Sequence, residues 1–274
     1  MSKLQEHEVD VLISVGGGSP IDASKVVAHH LHESTGKWIH SIAVPTTLSV
    51  AETTGNGGYT DDEGNKKAVS SPYLVPIAII YDAEFALYTP MRLWLSTGMR
   101  AVDHALELLY SKITPEYPVK ILCVEAAKQL FTYLPLCKNS PEDLDIRQKL
   151  FMAGYSALFP CYRPKGGLGL SHSMGHALGA TYNIPHGITS CLTLSSVLKQ
   201  KAINNPEEAA QIARAIEVTG LASSGDQKKD AFEVGNAVEK LVVTLGLKSC
   251  LLEVGFSLSP PPRRHSPNTF VFSF

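Results

Sequence analysis

The stretch VDVLISVGGGSPIDASK, from Val9 to Lys25, constrains this chain more than any other. Val9 to Val15 is a short run rich in β-branched residues, the pattern of a buried parallel strand, and three glycines follow it directly. Ser19 reads as an N-cap, with Pro20 at the first helical position and Asp22 in the first turn. Strand, glycine turn and helix in this order bring backbone N–H groups and a helix N-terminus toward a phosphate. Gly16, Gly17 and Gly18 allow close backbone approach. The spacing is not GxGxxG, and a plain tight strand-to-helix connection would use the same residues.

A second segment supports an α/β layer. Ile42 to Val44 and Pro76 to Tyr81 read as strands, and TDDEGNKK is a polar turn that implies an inserted hairpin. Thr46, Thr47 and Ser49 follow a strand end, the edge of an open α/β sheet where ligands bind, although hydroxyls there also serve as turn and capping residues. From residue 92 the pattern becomes helical. MRLWLSTGMRAVDHALELLYSK places Arg100 and His104 four apart on one face, with Asp103 about a quarter turn from His104. PVKILCVEAAKQLFTYLPL, DLDIRQKLFMAGYSALF and PEEAAQIARAIEVTG read as further amphipathic helices. The expected fold is therefore α/β plus all-α: a partial dinucleotide-binding domain over residues 1–91 and a helical domain over 92–255. An irregular proline-rich tail follows over 256–274.

Composition narrows the partners. In 274 residues the net charge is -2 and no long Lys/Arg block occurs, which disfavours nucleic acid or an anionic membrane as partner and leaves a small-molecule substrate as the default. Five cysteines, widely spaced and without a CxxC pair, imply neither a disulfide framework nor a cysteine zinc site. The N-terminus reads as neither a secretory signal nor a membrane span, so a cytoplasmic location is expected.

Three of the ten histidines, His172, His176 and His186, fall in GLSHSMGHALGATYNIPHG. On a helix His172 and His176 share a face, and YNIPHG turns the chain so that His186 returns toward it. Imidazoles so placed bind metals or shuttle protons. The pattern lacks the glutamate of HExxH proteases, and histidines four apart also occur as plain surface or capping residues.

In register, GGGSPIDASK, PTTLSVAE, GMRAVDHALE and HSMGHALGATYNIPHG resemble the iron-containing, or group III, alcohol dehydrogenase family, in the branch that includes maleylacetate reductases. The resemblance runs from about residue 8 to about residue 255. It implies an NAD(P)-binding α/β domain followed by an all-helical metal domain, with hydride passing between nicotinamide and a small carbonyl or alcohol. It implies cofactor contacts at Gly17, Gly18, Ser19, Asp22, Thr46, Thr47 and Lys67. By the same resemblance His104, His172 and His186 occupy three metal-ligand positions and His176 is the proton shuttle beside the nicotinamide. A homodimer is expected as well.

Two departures qualify this expectation. The family's fourth metal ligand is an Asp four residues before the first ligand His, where this chain has Arg100. A guanidinium cannot coordinate a cation and repels one, so Fe or Zn is disfavoured, and Arg100 is expected to hold a substrate carboxylate instead. The strand leading into GGGSP begins eight residues from Met1 and the tail replaces the family's last helices, so an incomplete gene model or a shortened member is expected. The competing reading is a shortened member without redox activity, using its histidine-lined pocket for metal-free acid–base chemistry or for a binding or structural role.

Overall fold

A computed structural model describes residues 9–61, 63, 66–160, 168–182 and 184–253, residue 66 in its backbone only. The expected tail over 256–274 and Cys161 lie outside the described residues. The chain begins β1 (Val11–Gly16), α1 (Gly18–Thr35), β2 (His40–Pro45), then the hairpin β3 (Asn56–Thr60) and β4 (Lys66–Ser70), then β5 (Ala78–Ile79) and the short α2 (Ala83–Leu87). The helical part comprises α3 (Met91–Tyr110), α4 (Ile121–Asn139), α5 (Leu144–Ala157), α6 (Leu170–Tyr182), α7 (His186–Asn204), α8 (Pro206–Ala213) and α9 (Gln227–Thr244).

The three-stranded sheet is parallel in the order β1, β2, β5, with Val11 opposite His40 and Ile42 opposite Ala78. The expected strand over Pro76 to Tyr81 shortens to Ala78–Ile79, although Ile77 and Ile80 also donate to β2 carbonyls. Helix α1 covers one face through Ile21, Lys25 and Ala28. Alternation turns Ile13 and Val15 to the other face, where they stay 63% and 51% exposed, unlike most parallel strands, which are buried on both sides. The expected hairpin is present, with Tyr59 opposite Lys67.

Helix α1 does not start where its sequence indicates. Gly17 is the N-cap and makes no side-chain cap, so Ser19 and Pro20 lie inside the first turn and Asp22 beyond it. The sharp turn decides this. Gly16 has φ +144° and a Cβ there would come within 2.8 Å of Pro20 Cγ, so the chain is already folding onto the helix three residues before Ser19.

Later helices follow their local signals. Asp143, Asn205 and Asp226 cap α5, α8 and α9 by accepting from backbone N–H groups, and Pro206 takes the first position of α8. The main core lies between these helices and α3, which is buried without interruption from Trp94 to Tyr110. Leu48 and Val50, from the loop after β2, belong to that same core. The change at residue 91 is thus one of secondary structure, while packing runs across it.

Candidate active site

A helix buried on all sides should be apolar on all sides, yet α3 carries Arg100, Asp103, His104 and Glu107. Positions i, i+3, i+4 and i+7 form one stripe, and buried polar groups of this kind require partners. Helices α6 and α7 supply them. A Cβ on Gly175 would lie 2.8 Å from Thr189 Oγ1, and one on Gly187 would lie 2.6 Å from the Ser96 carbonyl oxygen. These glycines let α6 close on α7 and α7 on α3.

Glu107 is 1% exposed and fully engaged. Its carboxylate accepts from the backbone N–H of Ser171 at 2.8 Å, that of His172 at 3.2 Å, His172 Nδ1 at 2.9 Å and the Tyr110 hydroxyl at 2.5 Å. Because a carboxylate only accepts, Nδ1 of His172 carries the proton. Asp103 accepts from the Ser190 and Ser171 hydroxyls at 2.6 and 3.0 Å, and His172 Nδ1 lies 3.5 Å away. Burial works against charge on His172, but Asp103 and Glu107 outweigh it and raise the pKa. Burial likewise opposes ionisation of Asp103, and His172 with Arg100 reverses that, holding its carboxyl below the usual range.

The other three histidines behave in the opposite way. Burial, then His172 and Arg100, hold His104 well below the ordinary imidazole value. Burial and then Arg100 bring His176 to about 4 and His186 to about 3. The rings pair off, His104 with His172 at 4.5 Å between centroids and His176 with His186 at 4.7 Å. Arg100, 6% exposed, is the charge common to all of them; its Nη1 lies 3.5 Å from Ser190 Oγ and 3.9 Å from Asp103 Oδ2. The structure therefore gathers the four histidines and Arg100 that the sequence indicates.

A divalent metal can be tested against this arrangement. His172 Nε2 and His104 Nδ1 are buried with no hydrogen-bond partner, as ligand atoms would be, and Glu107 holds His172 as carboxylates hold metal-binding histidines. The anionic ligand is missing. Arg100 brings positive charge to the same pocket, so His104, His172 and His186 do not fit a tightly held divalent ion. Asp103, Glu107 and His172 have donor atoms within 4.8 Å of one another, but these carboxylates are already engaged by Ser171, Ser190, Tyr110 and His172 in a buried network that ligation would break.

The nucleotide side is built from the turn before α1. The helix starts with no side-chain cap and no acidic residue in its first turn, which leaves its positive end available to an anion. Gly17 packs on Thr47, where a Cβ would come within 2.9 Å of Thr47 Cγ2, and Gly18 faces Ser49. The Thr46 N–H donates to the Gly16 carbonyl at 2.9 Å. Gly17, Gly18, Ser19, Thr46 and Thr47 thus sit together at the strand ends, and these residues fit a pyrophosphate. Asp22 and Lys67 are engaged elsewhere: Asp22 accepts from the Gly58 N–H at 3.2 Å, and Lys67, half-exposed, pairs with Asp61 at 2.8 Å.

Two parts of the site escape a reading of the sequence. One is the Asp103 and Glu107 pair, whose signal is the polar stripe within an apolar helix. The other is Lys25, 0% exposed, which donates to the Ala51 and Asn56 carbonyls at 2.6 and 2.8 Å and so ties α1 to the loop after β2. Beside it Glu52 is buried, accepts from the Tyr81 hydroxyl at 2.9 Å and is pushed up to about 7 by burial.

Residues 94–259 match the C-terminal domain description of the Fe-containing alcohol dehydrogenase family, and residues 1–83 match iron-containing alcohol dehydrogenase. Maleylacetate reductase 2 of Cupriavidus pinatubonensis is 29% identical over 222 residues, covering 81% of this chain and 59% of that protein. 1-Propanol dehydrogenase PduQ of Salmonella typhimurium is 31% identical over 223 residues, with the same coverage of 81% and 59%. The chain thus spans about 59% of the length of these relatives. A crystal structure described as an alcohol dehydrogenase of Ralstonia eutropha superposes with a TM-score of 0.78 at 26% identity, over 93% of this chain and 66% of that one. Sulfoacetaldehyde reductase of Bifidobacterium kashiwanohense, solved in complex with NAD+, gives 0.77 at 25% identity, over 94% and 69%.

Proposed function

The chain belongs to the iron-containing alcohol dehydrogenase family, and on that premise we propose that it transfers hydride between NAD(P)H and a small carbonyl compound bearing a carboxylate. The observation that carries the reading is Arg100, a guanidinium buried among four imidazoles, on the helix that also holds the loop after β2. A two-point contact from a planar cation suits a carboxylate, and the four-residue offset to His104 directs it into the same pocket.

When bound, nicotinamide supplies the hydride. The uncapped start of α1, with Gly17, Gly18, Ser19, Thr46 and Thr47, holds the pyrophosphate of that cofactor. Arg100 anchors the substrate carboxylate, and its charge and the N–H groups of the imidazoles polarise the carbonyl oxygen. His176 exchanges the proton with that oxygen, directly or through water. Burial and then Arg100 hold His176 at about 4, so an incoming carboxylate that neutralises Arg100 removes the second of these and raises the basicity of His176 in part. The ring is then better matched to proton transfer near neutral pH. No step requires a metal ligand in the position that Arg100 occupies.

The test has two stages. The purified chain is titrated with NADPH and NADH by cofactor fluorescence, and then oxidation of the bound cofactor is followed with oxo-acids and with neutral aldehydes. Saturable binding with turnover favouring oxo-acids is the expected result. A folded chain that binds neither cofactor would overturn the proposal.

A further inference from the structure

Helix α1 ends in the segment AHHLHE, Ala28 to Glu33, at the end remote from the glycine turn. We propose that His29, His30 and Glu33 form a site for a zinc-class divalent transition metal, separate from the histidines of α3, α6 and α7.

The geometry follows from helical spacing. His29 and Glu33 are four apart and His30 and Glu33 three apart, so the carboxylate rises between the two rings. Glu33 Oε2 lies 3.5 Å from His29 Nδ1 and 2.8 Å from His30 Nδ1, and the three donor atoms fall within 4.8 Å of one another. In a tetrahedral zinc site with bonds near 2.0–2.1 Å, ligand atoms stand about 3.4 Å apart. The set closes on an ion when the side chains adjust and His30 Nδ1 releases the proton it donates to Glu33.

Two further features point to a ligand. His29 Nδ1 is buried and has no hydrogen-bond partner, which costs free energy unless something binds there. The rings are also held in place: His30 meets Tyr59 edge-on at 5.9 Å, and His29 meets Trp38 edge-on at 6.3 Å. The two metal questions in this molecule then have opposite answers. In the cluster on α3 the anionic ligand is replaced by a guanidinium, whereas on α1 Glu33 supplies it. Two imidazole nitrogens and one carboxylate oxygen, with a fourth position open, select zinc, nickel or copper over magnesium or calcium.

Trp38 provides a local readout, since the second tryptophan, Trp94, is fully buried in the helical core. The full chain is titrated with Ni2+ while tryptophan emission is followed, and then back-titrated with Zn2+, which has no open d shell to quench. Expected are saturable quenching, its reversal by zinc, and at least a tenfold weaker apparent Kd in His30→Ala and Glu33→Gln. Both changed side chains are exposed, so these variants fold. Trp38→Phe should abolish the signal and His186→Ala should leave the Kd unchanged. Quenching that never saturates, that is equal in Glu33→Gln, or that disappears in His186→Ala would overturn the site.

Discussion

His172 and Glu107 are joined across two helices, ring Nδ1 to carboxylate Oε2 at 2.9 Å, and this bond leaves Nε2 as the free nitrogen of the ring. Glu107→Gln keeps the shape and removes the charge. A loss of about 2 kcal/mol in urea-derived stability is expected, the cost of a charge-assisted hydrogen bond in a buried site. The His172 pKa, raised against burial by Asp103 and Glu107, should fall in the variant. An NMR titration of the imidazole resonances checks this, and an unmoved His172 would show that Asp103 alone sets its charge.

Arg100 separates two properties that a carboxylate at the same position would join. Arg100→Lys should raise KM for an oxo-acid substrate by about 100-fold, the cost of losing a two-point contact, and change KM for a neutral aldehyde little. Arg100→Asp should do more, converting the imidazole set into one with an anionic ligand. One additional equivalent of zinc or iron after dialysis, measured by elemental analysis, is expected in that variant relative to the unaltered chain. Equal metal content in both proteins would show that Arg100 does not govern metal binding.

The proposed mechanism gives His176 a different task from the other imidazoles, proton transfer and not binding. His176→Ala should lower kcat by roughly 100-fold or more while KM stays within a few-fold. If steady-state kinetics show KM rising and kcat unchanged, His176 binds substrate and the proton moves by another route.

Glu52 makes stability depend on pH in an unusual direction for a carboxylate. Burial raises its folded pKa to about 7 from 4.5, so the folded chain holds this proton more tightly than the unfolded chain does. Its contribution is present below about pH 4.5 and is lost as pH rises toward 7. Over that window denaturant stability should decline by up to about 3 kcal/mol, at about 1.4 kcal/mol per pKa unit. Glu52→Gln, which keeps an acceptor for Tyr81, should remove most of the decline. A profile identical to that of the unaltered chain would show that Lys25 keeps Glu52 ionised.

Much of this architecture is legible in the sequence, and the reasons for the remainder are specific. The strand, glycine turn and hairpin are local features, and spacing alone places His172 beside His176. The start of α1 is misplaced because Ser19 and Pro20 are strong local signals, while the turn at Gly16 takes φ +144° and brings Pro20 to where a Cβ would stand, which no propensity encodes. Asp103 is read as about a quarter turn from His104, which holds for two neighbours on a helix but ignores what a third element brings. Once α6 packs on α3, Asp103 and Glu107 meet Ser171 and His172. Lys25 is missed for the same reason. A lysine on a helix after a phosphate-type turn reads as solvated until the loop at Ala51 and Asn56 wraps its ammonium group.

The hydrogen bond from the Leu48 N–H to Thr97 Oγ1, at 3.1 Å, joins the loop that flanks Gly17 to the turn of α3 just before Arg100. If nucleotide binding shifts this loop, Thr97 and the core packing of Leu48 give the shift a path toward Arg100, and any preference that a nucleotide then imposes on carboxylate affinity must be returned in equal measure when the carboxylate arrives first.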